Sequence, residues 1–220
     1  LYYAKYPALS LGHHPPLPYV TLVPFYFVFG ISIFGVRIAE LCWFLLAAWG
    51  LYTVARQMFG WQVASWATVL FVTNPLVLRN GQRLLSEMPM LALVLVSMAL
   101  LLSYCETRRP WRLVAFALTV VLSLYAKQLA AFMLPVYFVV LGDHFGWRTL
   151  FSRRAIWLWS IAGILAVPLV LMTVGLAPDN VRVAIRQVTR LVTFARQRSV
   201  LTILYEIITT HVSLPLLLAC

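Results

Sequence analysis

Apolar residues run along this chain in long unbroken blocks separated by short polar punctuation, without the alternation that marks half-buried strands or the narrow stripe of a soluble helix. The blocks cover residues 36–55, 61–78, 89–105, 111–126, 128–142, 156–177 and 200–218. A helix needs about 20 apolar residues to cross the hydrocarbon of a bilayer, and somewhat fewer when neighbours support it. The pattern therefore predicts an all-α fold, a polytopic bundle of transmembrane helices. A further apolar segment, residues 17–34, follows Pro15 and Pro16, contains Pro18 and Pro24, and is rich in aromatic residues. Prolines break regular helix and aromatic rings favour the membrane–water boundary, so this segment is expected to lie along the membrane face as an interfacial juxtamembrane helix with the residues before it outside, the alternative being a crossing that puts them in the cytoplasm.

Charge sets the expected orientation. If each block from residue 36 onward crosses once, Arg56, then Arg108, Arg109 and Arg112, then Arg148, Arg153 and Arg154 fall on one side. Basic loops stay in the cytoplasm, which places Arg37, the loop 79–87, Lys127 and the stretch 178–199 outside. The five arginines at 182, 186, 190, 196 and 198 in that last stretch count against the assignment, although long loops obey the charge rule less strictly. Only Lys127 separates blocks 111–126 and 128–142. One long tilted helix would leave the ammonium at mid-membrane, so a tight hairpin carrying Lys127 to the outer surface is expected instead.

Composition narrows the class. Of 220 residues 63% are hydrophobic and 10% charged, too few polar side chains to wet the surface of a soluble domain. The net charge of +11 sits in short clusters between apolar runs, so it reads as membrane topology and lipid or phosphate contact, and a nucleic-acid partner is not expected. Cys42, Cys105 and Cys220 lie in or beside apolar runs and offer neither a disulfide framework nor a metal-ligand spacing. The chain opens on Leu1 without an initiator Met and stops inside an apolar run. Residues 1–220 are accordingly expected to form part of one transmembrane domain, with an earlier span, part of an outer loop and a C-terminal portion lying beyond them.

The turn His13-His14-Pro15-Pro16-Leu17 leads directly into apolar chain. The run His14-Pro15-Pro16-Leu17-Pro18-Tyr19, followed by Gly35-Val36-Arg37 and by Ala55-Arg56-Gln57-Met58-Phe59-Gly60, resembles the membrane glycosyltransferases of the protein O-mannosyltransferase and lipid A aminoarabinose transferase superfamily, which share the GT-C fold. Asn74-Pro75, the loop ending Ser86-Glu87-Met88-Pro89, and Tyr125-Ala126-Lys127-Gln128 with Pro135 continue the resemblance in the same order over roughly the first 150 residues. The resemblance implies a polyprenyl-phosphate sugar donor held on the outer face and inverting transfer to an acceptor hydroxyl or amine. It also implies a carboxylate base in the first outer loop, before the His-Pro-Pro-Leu turn and so upstream of residue 1.

Within the chain, Glu87 matches the acidic position of the family's second outer loop, where it would orient the acceptor or help to hold a divalent metal. The structural alternative is a helix-start residue that complements the helix dipole and pairs with Arg83 four positions earlier. In the catalytic reading Arg83, in the same loop, is counted with the substrate-binding residues. The resemblance brings His14 next to the donor phosphate, with His13 as a neighbour more at home in a solvated loop. Two adjacent histidines converge poorly on one ion, so no metal site is assigned. Lys127 offers an ammonium where a lipid phosphate would lie, against the alternative of a snorkelling anchor. Arg37 and Glu40 are one helical turn apart and are read as a structural pair. Arg182, Arg186 and Arg190 share one face of a would-be helix that suits membrane lipid headgroups, with a lipid phosphate as the sharper reading, and Glu206 and His211 stay unassigned. Together these point to a membrane glycosyltransferase using a polyprenyl-phosphate-linked sugar, set in a bacterial inner membrane. A non-catalytic polytopic subunit or a small-solute transporter is the competing class.

Overall fold

The computed structural model describes residues 16–81, 86–150, 159–160, 163–168 and 171. Among them there is no strand, and the chain is a bundle of helices. Pro16 and Pro18 start a short helix α1 (Leu17–Val20), whose neighbour Thr21 closes the turn by donating from Oγ1 to the Pro18 carbonyl at 2.9 Å. Helix α2 (Val23–Phe29) stops at Gly30, whose φ of 70° is open to a residue without Cβ. Ser32 then caps α3 (Ile33–Phe59), accepting from the Gly35 amide at 3.2 Å. The chain reverses at Gly60 into α4 (Trp61–Thr73).

The apolar block 61–78, expected as one span, is instead two helices. Asn74 precedes Pro75, and a residue before proline is driven to extended backbone; its ψ is 122°. Its Oδ1 then accepts from the amides of Leu76 and Val77, at 2.9 and 3.3 Å, and so starts α5 (Pro75–Gly81). Helix α6 (Glu87–Thr107) ends at Arg108, a left-handed residue with φ 56°, and Pro110 opens α7 (Pro110–Ala126) after a linker of only Arg108 and Arg109. At Lys127 the backbone becomes extended, and a 3-10 segment (Gln128–Met133) leads into α8 (Leu134–Phe145) and a short helix α9 (Trp147–Leu150).

Cross-contacts fix the directions. Gln57 Nε2 donates to Ser103 Oγ at 2.7 Å, and Gly50 packs directly on Leu95, so α3 and α6 run parallel. Phe44 stacks on Phe71 with ring centroids 5.9 Å apart, which returns α4 antiparallel along α3. On the other flank the Ser97 and Tyr137 hydroxyls bond at 2.6 Å and Tyr104 stacks on Phe145 at 5.4 Å, so α8 runs parallel to α6. Phe116 meets Tyr137 edge-on at 5.2 Å and sets α7 antiparallel to both. Leu101, Cys105, Phe116, Val120, Tyr137 and Leu141 form the buried cluster these three helices share. A single tilted helix through Lys127 is thereby excluded, because the chain turns back there.

The stretches Ile33–Phe59, Glu87–Thr107 and Gln128–Phe145 are long and apolar enough to cross a membrane, while Leu17–Phe29 and Pro110–Ala126 are apolar and shorter. Large apolar side chains also cover the outside of the bundle: Ile31 is 93% exposed, Phe27 87% and Trp66 71%. Water would not tolerate so much of such surface on a monomer, whereas lipid does. The protein is thus an integral membrane helix bundle. Of the block expected at 156–177, residues 159–160, 163–168 and 171 are helical. Trp159 stacks on Phe138 at 4.9 Å and the Tyr125 hydroxyl donates to the Leu165 carbonyl at 3.0 Å. The block at 200–218, the basic stretch through Arg182, Arg186 and Arg190, and Glu206 and His211 lie outside the described residues.

Candidate functional site

The directions just established sort the charges to opposite ends. Arg56 near the end of α3, Arg108, Arg109 and Arg112 at the α6–α7 turn, and Arg148 after α8 share one end of the bundle, as the charge pattern predicts. Several are tied to protein there. The Arg108 guanidinium carbon lies 3.9 Å from the Phe145 ring centre, and Arg112 Nη1 donates to the Ser103 carbonyl and to Thr107 Oγ1, each at 3.0 Å.

The start of α3, the start of α6 and the end of α7 meet at the other end. Lys127 Nζ donates there to Glu87 Oε1, an ion pair between residues 40 apart in sequence. Glu87 occupies the first turn of α6, where exposed amides and the helix dipole favour an acid. Lys127 is placed by the break after α7: its amide donates to the Ser123 carbonyl and its carbonyl accepts from the Ala130 amide, both at 3.0 Å, with φ −163° and ψ 132° between. The backbone is thus pinned on both sides and only the four-carbon side chain is left to move. Relative side-chain exposures of 30% for Lys127 and 40% for Glu87 leave the pair reachable from outside the bundle. The second carboxylate oxygen of Glu87, Oε2, is buried and accepts no hydrogen bond among the described residues.

A third ionisable group lies near the pair. Glu40 on α3 is 2% exposed, and its Oε2 is likewise buried without a hydrogen-bond partner among the described residues. Arg37, one turn earlier, and Glu87, across the helix boundary, are its charged neighbours. The approach of α3 to α6 at this level runs through Gly81: a Cβ there would stand 3.1 Å from Cδ2 of Phe44 and 3.7 Å from Cε of Met88. Arg37, Glu40, Glu87 and Lys127 are therefore brought to one end by three separate helices.

Sequence reasoning named Glu87 and Lys127 separately but gave them different partners, Arg83 and a ligand phosphate. Their mutual pairing follows only from the antiparallel α6–α7 hairpin, which brings the start of one helix beside the end of the other. For Glu40 the sequence offers only Arg37 as a partner and gives no sign of its electrostatic coupling to Glu87. The available signal was a carboxylate inside an apolar run, which is costly there and marks a site. His13, His14 and Arg83 lie outside the described residues. Among the described residues no three His, Cys, Asp or Glu side chains cluster as metal ligands.

Fold and charge distribution define a polytopic integral membrane protein with an ionic site at one end of its bundle. The chain belongs to the dolichyl-phosphate-mannose-protein mannosyltransferase family, whose sequence profile matches residues 13–172. It is thus a mannosyltransferase-like membrane glycosyltransferase, and the match extends past residue 150, where the ordered motifs end. No curated protein and no solved structure matches the chain.

Proposed function

We propose that this protein transfers a sugar from a polyprenyl-phosphate-linked donor to an acceptor on the outer face of the membrane, in a bacterial inner membrane. The observation that carries the reading is the Glu87–Lys127 pair, set at the bundle end opposite the arginine-rich turns and open to its surroundings. In this reaction an acceptor hydroxyl or amine attacks the anomeric carbon and gives its proton to a carboxylate base, the bond from that carbon to the phosphate oxygen breaks with inversion, and polyprenyl phosphate leaves with the bonding electrons. Charge builds on the departing phosphate. A preorganised cation beside it lowers the barrier, and Lys127 supplies one, with His14 as a second contact. Glu87 accepts a hydrogen bond from the acceptor and orients it, and Arg83 and His13 complete the substrate surroundings. The segment 17–34 lies along the membrane face and frames the mouth of the site.

The test is sugar transfer in membranes carrying the complete protein. Glu87→Gln and Lys127→Ala each lower transfer by at least about tenfold, about 1.4 kcal/mol of lost transition-state stabilisation, at unchanged protein level. Near-normal transfer by both variants returns the residues to helix capping and membrane anchoring, and absence of transfer by the parent protein favours a non-catalytic subunit or transporter.

A further inference from the structure

Lys127 has three N–H donors and a full charge, yet the carboxylate it meets is also the group that an acceptor would need. In the structure the two reactive charges neutralise each other. We propose that the Glu87–Lys127 pair is a latch: the phosphate of a lipid-linked ligand displaces Glu87 from the ammonium, and only then is the Glu87 carboxylate released to receive the acceptor. The inference rests on the lipid-phosphate reading of the site and adds to it an order of events, phosphate before acceptor.

Three observations carry it. The pair is partly exposed, so an anion can approach the ammonium without the bundle opening. The Lys127 backbone is held by hydrogen bonds at both its amide and its carbonyl, so exchange of partner needs rotation of the lysine stem alone. The phosphate of a polyprenyl-phosphate sugar is a diester with one negative charge, as a carboxylate has, and its two free oxygens let it take the place of Glu87 on the ammonium; the monoester left after transfer carries about −1.5 to −2 and holds the ammonium more strongly still. Glu87 is also imperfectly satisfied in the latched form, with Oε2 buried and unpartnered and a second carboxylate, Glu40, as its neighbour. A buried acceptor without a donor is costly, and once Lys127 lets go the carboxylate can turn Oε2 out of its buried position, where the hydroxyl or amine of an acceptor supplies the missing donor. The two ligands then favour each other's binding, because the first releases the group that the second requires.

A water-soluble carbodiimide tests the latch directly in membranes containing the full protein. The reagent activates a carboxylate, a touching amine displaces it to form an amide, and the oxygen leaves on the urea. Without ligand, mass spectrometry should find the peptide carrying Glu87 joined to that carrying Lys127. The product should be absent from Lys127→Arg, whose guanidinium keeps the charge but forms no such amide. Saturating dolichyl phosphate should cut its yield by about tenfold, the shift expected when one partner is displaced from most molecules. Dolichol and phosphatidylglycerol at the same mole fraction should leave it unchanged. No cross-link in the resting protein overturns the latch, as does equal loss with dolichol, phosphatidylglycerol or an equal concentration of inorganic phosphate. Retention of radiolabelled dolichyl phosphate on the purified protein separates the two levels of argument. Retention with an undiminished cross-link overturns the latch and leaves the proposed function standing, whereas no retention removes both.

Discussion

Gly50 of α3 lies against Leu95 of α6 so closely that a Cβ on the glycine would stand 2.9 Å from Leu95 Cβ and 3.3 Å from its carbonyl carbon. Neither atom is the far end of a flexible side chain, so the helices themselves would have to part. In lipid, helices gain little from burying apolar surface against each other and rely on close van der Waals approach, which small residues permit.

Gly50→Ala should therefore destabilise the bundle by about 1–3 kcal/mol, the usual cost of overpacking, and Gly50→Leu by more. Thermal unfolding of the detergent-solubilised protein measures this. An unchanged midpoint for Gly50→Leu would mean that α3 and α6 are not held at this distance.

The hydrogen bond between Ser97 and Tyr137 gives an asymmetric prediction. Ser97 Oγ also donates to the Val94 carbonyl at 2.8 Å, so the tyrosine hydroxyl is the donor in the 2.6 Å contact. Tyr137→Phe removes a donor and leaves Ser97 bonded, at a cost of about 0.6 kcal/mol, typical of a hydrogen bond between membrane helices. Ser97→Ala strands a buried hydroxyl and should cost about 1–3 kcal/mol. Equal losses in the two variants would contradict this direction of donation.

Substitution at both Glu87 and Lys127 should be less harmful than the sum of the single losses. Contacting groups couple by about 0.5–3 kcal/mol, so in a cycle of Glu87→Gln, Lys127→Ala and the double variant the second change should lower transfer far less than the first. Strictly additive losses would show two groups acting apart.

Orientation is checked by single cysteines. At Arg109 and Arg148 they should resist an impermeant thiol reagent in intact cells, and at Gln128 a cysteine should react. Labelling of the first two from outside would reverse the bundle and the proposed site with it.

Much of the fold was legible because lipid imposes a coarse rule, that apolar stretches of spanning length become helices. The arginines at 56, 108, 109, 112 and 148 marked one end correctly, and the lone Lys127 between two apolar blocks announced the reversal that the structure contains. The break at Asn74 was also readable, since Pro75 restricts the residue before it, but the apolar character of residues 75–78 overrode that local signal in the expected span. Partners were less legible than positions. Glu87 had an attractive local partner in Arg83 at helical spacing, and nothing in a linear pattern ranks that contact against one 40 residues away. Glu40 hid for the opposite reason: its nearest charge in sequence, Arg37, offered a sufficient explanation, and only three-dimensional packing places it beside Glu87.

The two-residue linker between α6 and α7 bears on how the protein is made. Helices joined by Arg108 and Arg109 alone form one tight antiparallel hairpin, the unit in which the two would enter a bilayer. Whichever side holds the tip, both free ends arrive on the other, and Glu87 and Lys127 arrive together. Their contact presents the lipid with one dipole in place of two ions, and charged groups at membrane depth are best tolerated when paired. The contact that shapes the site thus also pairs the two charges that the α6–α7 hairpin carries at its open end.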